Sequence, residues 1–224
     1  MKTIINIAYR FMPYKITLIL LFGIILQVSA QSNPERFRVG ITAALDNNLS
    51  SESFAFTEHT GYGADYNKTN YRVGLNVEYD LKKKITLNTA VYYSNKDFTG
   101  TYYCAVCEFL VLPQPQTIEL RFIEVPATLR YYVLPEQWKP YVEIGVNNLF
   151  ALKKGVVNDA YKEETIDNSY TLGLKLGGGI EYEINPRFAI RLLADYNKGL
   201  TKLIDKSGFK MDYWGIGIGV LTRL

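Results

Sequence analysis

From Arg36 to Leu224 apolar and polar side chains alternate with a period of two through eight segments. Such alternation marks β-strands that each carry one apolar face. The first segment runs about Arg36 to Leu45, with Phe37, Val39, Ile41, Ala43 and Leu45 on one parity and Arg38, Gly40 and Thr42 on the other. The pattern returns at about Thr69–Leu81, Ile85–Asn95, Ile118–Val133, Lys139–Phe150, Ser169–Ile184 and Arg187–Asn197. It ends in Met211–Leu224, where Trp214, Ile216, Ile218, Val220 and Leu224 oppose Tyr213, Gly215, Gly217, Gly219 and Arg223.

The fourth segment breaks the rule. Ile123, Val125, Ala127, Leu129, Tyr131 and Val133 share a parity, but Ile118, Leu120 and Phe122 fall on the opposite one. A bulge near Phe122–Ile123 is the expected remedy, and it would also accommodate Pro126, which lacks a ladder donor. The connections alternate in length: Asn47–Lys68, Lys96–Thr117 and Leu152–Asn168 are long, whereas Lys82–Lys84, Leu134–Trp138 and Asn185–Pro186 are short. Short turns at one end and long loops at the other are the layout of an antiparallel up-and-down barrel in the outer membrane.

A soluble eight-stranded barrel would turn its apolar parity inward. Here the charged parity also holds most of the strand glycines, which suit a crowded interior and serve no packing purpose on a wet exterior. Aromatic residues cluster near strand ends on the apolar parity, among them Tyr71, Tyr79, Tyr131, Tyr182, Phe188 and Trp214, as in interfacial girdles. The expected fold is therefore all-β: an eight-stranded antiparallel transmembrane barrel, its apolar parity facing lipid. Its interior would hold Arg38, Arg72, Arg130, Lys175 and Arg191 with Glu78, Glu124, Glu143, Glu181 and Asp195. Buried charges must be paired. Turns near Glu136–Gln137 and at Asn185–Arg187 set Arg130 opposite Glu143 and Glu181 opposite Arg191.

Composition adds a compartment. The first thirty residues carry Lys2, Arg10 and Lys15 and no acid, then an apolar run from Ile16 to Val28 and the small residues Ser29 and Ala30. This is a secretory leader, expected to be cleaved after Ala30, with residues 31–224 forming the barrel domain; a leader beginning at Met12 is equally complete. The formal charge of +3 belongs to this segment, because the remainder holds 22 basic and 22 acidic residues. Nothing in that balance suggests nucleic-acid binding.

The loops hold the remaining candidates. Cys104 and Cys107 stand three apart in the second long connection. A local disulfide is the expected state in an oxidising compartment, with free thiols or a redox or metal motif as alternatives. Phe109, Leu110, Val111 and Leu112 follow, an apolar patch either buried by a strand ribbon beyond the membrane or presented to a partner protein or lipopolysaccharide. The lone His59 lies in a polar loop, a poor seat for a hydrolytic triad, which requires a rigidly held base. No cofactor or metal is expected.

Three stretches resemble the PorT-like family of small outer-membrane β-barrels: Ile123-Glu124-Val125-Pro126-Ala127-Thr128-Leu129-Arg130-Tyr131-Tyr132, Lys139-Pro140-Tyr141-Val142-Glu143-Ile144-Gly145, and Gly177-Gly178-Gly179-Ile180-Glu181-Tyr182-Glu183-Ile184-Asn185. A proline at Pro126 is a habit of that family, whereas its members usually end in an aromatic and this chain ends in Arg223-Leu224. The resemblance implies an integral outer-membrane protein, and some relatives serve protein secretion. The expected role is structural or interactive at the cell envelope, as an accessory to secretion or surface assembly, and non-enzymatic. A small channel is the alternative, followed by a lipid-modifying enzyme. Expected partners are outer-membrane lipid and lipopolysaccharide, the barrel assembly machinery and an envelope protein reached through the long loops, the barrel itself being monomeric.

Overall fold

The computed structural model of the 224-residue chain describes residues 36–49, 54–55, 58–65, 68–108, 114–134, 136–156, 168–203 and 208–224. The expected leader, 1–30, and the patch Phe109, Leu110, Val111 and Leu112 lie outside the described residues. The strands are β1 (Phe37–Asn48), β2 (Phe54–Ala55), β3 (Thr60–Asp65), β4 (Thr69–Lys82), β5 (Ile85–Asn95), β6 (Phe98–Cys104), β7 (Gln116–Tyr132), β8 (Trp138–Val156), β9 (Tyr170–Glu183), β10 (Phe188–Gly199) and β11 (Tyr213–Arg223).

Eight of them close a ring in the order β1-β4-β5-β7-β8-β9-β10-β11, with β11 returning to β1. Every neighbouring pair is antiparallel. The closed ring leaves no open sheet edge in the membrane, where an unpaired backbone group would be costly. The turns at one end are short. In one of them Asn185 Oδ1 accepts the backbone N–H groups of Arg187 and Phe188 at 2.8 Å each, a local clasp that fixes the β9–β10 register.

The apolar parity faces outward along the whole ring. Ile41 is 60% exposed, Leu75 63% and Leu192 59%, values that no soluble core strand would show. Aromatic pairs mark both ends of this belt: Tyr71 with Tyr93 and Phe150 with Tyr170 toward the long connections, and Trp138 with Tyr182 toward the short turns. These are the two interfacial girdles.

The remaining strands stand beyond the membrane belt. β6 continues β5 in a single register against β7, because Asn95 pairs with Arg121 and Phe98 with Ile118, and the Lys96 N–H bonds the Leu120 carbonyl at 2.9 Å between them. β3 pairs with β6, and β2 with β3. The two long connections thus fold as a ribbon that prolongs the barrel wall outward.

The ribbon overturns the expected bulge in the fourth segment. β7 keeps one phase from end to end: Ile118, Leu120 and Phe122 are buried on the same inward parity as Glu124 and Arg130. They point inward because an apolar cluster, rather than lipid, awaits them, and it includes Tyr62, Phe98 and Leu149 with Leu203, Phe209 and Met211 from the β10–β11 connection. The register does shift by one residue at Arg121/Phe122, but the extra residue is Leu152 on β8. Pro126 is accommodated differently as well. The β5–β7 ladder passes from Thr89↔Ala127 to Tyr92↔Glu124 without pairing Ala90 to Pro126, and the Thr89 hydroxyl donates to the Pro126 carbonyl at 2.9 Å.

Candidate functional site

Among the described residues, chemistry-bearing side chains converge in the lumen. Period-two alternation sends the polar parity of each strand inward, and all ten charged residues expected there are buried. Together with buried Asp46 and Lys96 they form two neutral groups, each with three buried cations and three buried anions.

The group nearer the short turns is centred on Glu78 of β4. Its carboxylate receives Arg130 Nη1 at 2.6 Å, Arg191 Nη1 at 2.5 Å and Arg38 Nη2 at 3.0 Å. Arg130 stands directly across from Glu143 in the β7–β8 register and donates to it from Nη2 at 2.7 Å and Nε at 3.2 Å. Glu181 faces Arg191 across β9–β10, where Nε donates at 3.2 Å and Nη2 makes a second, shorter bond. Arg38 Nη1 closes the circuit to Glu181 at 2.6 Å. The Tyr132 hydroxyl donates to Glu181 at 2.8 Å and accepts from Arg38 at 2.9 Å. The Tyr141 ring lies 4.4 Å from the Arg130 guanidinium carbon, a cation–π contact.

The second group lies toward the long connections. Asp195 receives Arg72 at 2.5 Å and Lys175 at 2.6 Å. Lys96, fully buried, bridges Asp46 at 2.5 Å and Glu124 at 2.8 Å, and its ammonium sits 4.1 Å from the centre of the Tyr213 ring. The Tyr213 hydroxyl donates to Glu124 at 2.9 Å and accepts from the Asn147 amide at 2.7 Å. Between the groups remains a void of about 10 Å³ lined by Arg72, Asn88, Tyr92, Arg130, Lys175 and Asp195. That is the size of one water.

The glycines of β11 admit this packing. A Cβ on Gly215 would sit 2.1 Å from Asp46 Oδ1, and one on Gly217 would sit 2.5 Å from the Ala43 carbonyl. Only hydrogen at these positions lets β1 and its carboxylate approach. Asp46, Lys96 and Tyr132 are members of the lumen that sequence reasoning left out, whereas Tyr213 lies on the inward parity expected of it. Asp46 and Lys96 fall just past the expected strand ends, although their parity continues that of Thr42 and Ala44 and of Asn88 and Ser94.

Cys104 and Cys107 are joined by a disulfide at the tip of the ribbon. His59 is exposed beside it, its carbonyl accepting the Ala105 N–H at 2.8 Å. Among the described residues no group of three His, Cys, Asp or Glu side chains is placed to hold a metal ion.

Residues 29–205 match the model of the outer membrane protein beta-barrel domain family. Among solved structures, the outer membrane protein OprG from Pseudomonas aeruginosa superposes with a TM-score of 0.56 at 15% identity, over 84% of this chain and 96% of that one. Neisserial surface protein A gives 0.49 at 14% identity, over 84% and 97%. The solution structure of outer membrane protein W from E. coli gives 0.45 at 13% identity, over 85% and 98%. Curated proteins yield no match. A matching family model over most of the chain, a closed eight-stranded ring and a lipid-facing apolar belt agree: this chain belongs to the outer membrane protein β-barrel domain family and resides in the cell outer membrane.

Proposed function

We propose that this protein is a sealed interaction barrel of the PorT-like kind, an accessory to protein secretion or surface assembly rather than a channel or an enzyme. The observation that carries the reading is the filled lumen. Two neutral ion-pair groups occupy its length, and the apolar cluster of Ile118, Leu120, Phe122, Leu203, Phe209 and Met211 closes the end toward the long connections. An ion crossing the barrel would have to dismantle charge-assisted bonds that are each expensive to break in isolation. With the interior committed to structure, the surface free to act is the ribbon.

That ribbon is ordered by strand pairing and fastened at its tip by Cys104–Cys107. It exposes Thr101 and Tyr103 on the parity opposite the one that builds the apolar cluster. A photo-crosslinking residue in place of Thr101, activated in intact cells, is expected to capture a discrete envelope protein. A crosslinker in place of Ile41, in the lipid belt, serves as the comparison. Capture of lipid alone from both positions would contradict an interaction role for the ribbon.

A further inference from the structure

We propose that the Cys104–Cys107 bond is a thiol–disulfide exchange site, where a low-molecular-weight thiol attacks Cys107 and Cys104 is the leaving group. As a staple the bond holds little that is not already held. Its cysteines are three residues apart in sequence, so it ties the end of β6 to the chain just beyond it and does not reach β3. The β3–β6 register is set by six residue pairs, from Thr60↔Cys104 to Asp65↔Thr99. Just past them the Ala105 N–H donates to the His59 carbonyl at 2.8 Å. A loop this short also restrains the unfolded chain less than any longer one would.

The two sulfurs stand in different surroundings. Cys104 is half-buried and packs against the apolar cluster that holds Tyr62 and Tyr102. Cys107 is exposed, and so are Ala105, Val106 and Glu108 around it, Val106 to 71%. Exchange begins when a thiolate reaches one sulfur of the pair, so access decides which of them is attacked. Here that sulfur belongs to Cys107.

The step is a displacement. The incoming thiolate bonds to Cys107 Sγ, and the Cys104–Cys107 bond breaks with its electron pair on Cys104 Sγ, which takes a proton from water. Cys104 stays three residues away, and its return attack on Cys107 expels the first thiol and restores the starting state. When a second thiolate instead attacks the outer sulfur of the mixed disulfide, Cys107 leaves as a thiolate and is protonated in turn. Two thiols are then oxidised to one disulfide, and the protein's disulfide is reduced to two thiols. A reduced Cys104 is a small apolar side chain and keeps its place on the cluster, so the ribbon outlasts the exchange. The site does not depend on the ribbon recruiting a protein.

The test treats the full barrel, folded in detergent, with reduced glutathione, alkylates freed thiols with N-ethylmaleimide and maps both cysteines by mass spectrometry. Glutathione on Cys107 with alkylated Cys104 is expected to exceed the reverse arrangement by about tenfold or more. Heat-modifiable gel mobility should stay that of the folded barrel throughout. The rate should lie within about tenfold of that for the same chain unfolded in urea, since a bond reached only by unfolding reacts orders of magnitude more slowly. Cys104→Ser with Cys107→Ser should still fold and should take up no glutathione. Exchange that begins only once the barrel is unfolded, or glutathione found mainly on Cys104, overturns the proposal. A double variant that fails to fold does so too, because the bond is then a staple.

Discussion

At Gly215 the missing Cβ decides whether the upper ion-pair group can form. The space a methyl would take is held by Asp46 Oδ1 at 2.1 Å and Arg72 Nη2 at 3.1 Å. Asp46 is bound to Lys96, and Lys96 to Glu124, so displacing that carboxylate strains the whole group. Gly215→Ala is expected to destabilise the folded barrel by about 1–3 kcal/mol, the usual cost of overpacking. Gly155→Ala, where nothing lies within 4 Å, should leave stability unchanged. Urea titration followed by heat-modifiable mobility measures both. The inward charges themselves were legible from parity alone, as were the two cross-strand pairs, because short turns leave little freedom in register. The glycine face was legible as an inward wall, but which side chains needed its room was not. Asp46 reaches Gly215 from a neighbouring strand, a contact that no local pattern encodes.

Among the elements, β7 teaches most about what alternation conveys. Its parity is unbroken, yet its inward side chains change from charged to apolar as the strand leaves the membrane. Reading hydrophobicity as lipid exposure therefore called for a phase change where the strand has none. The signal that would have corrected it lies in other segments: Tyr62, Phe98 and Phe209 come from stretches that read as polar loops, and only their convergence makes an apolar interior there. The ribbon strands β2, β3 and β6 were invisible for the same reason, being short and paired through the fold rather than through local sequence. Pro126 leaves a trace of its own. With no N–H to offer β5, it leaves the Ala90 carbonyl without its ladder donor, where the pairing skips from Thr89 to Tyr92. Pro126→Ala, which restores a donor opposite that carbonyl, is expected to stabilise the barrel by about 1 kcal/mol in urea titration. A less stable variant would mean that the carbonyl has no need of that donor.

For the whole molecule, closure and filling are one property. Eight strands enclose just enough room for side chains. Here that room is taken by charges that cancel within each group, and the end beyond them by apolar side chains from the ribbon and the β10–β11 connection. The outer surface is left to lipid, and the ribbon stands beyond it. The central claim, a lumen sealed by paired charges, is tested most directly by single-channel recording of the purified barrel in a planar bilayer. A silent trace across the voltage range is the predicted result, with steps appearing only when Glu78→Ala and Arg191→Ala together empty the centre of the network. Regular conductance steps from the unaltered protein would contradict the account.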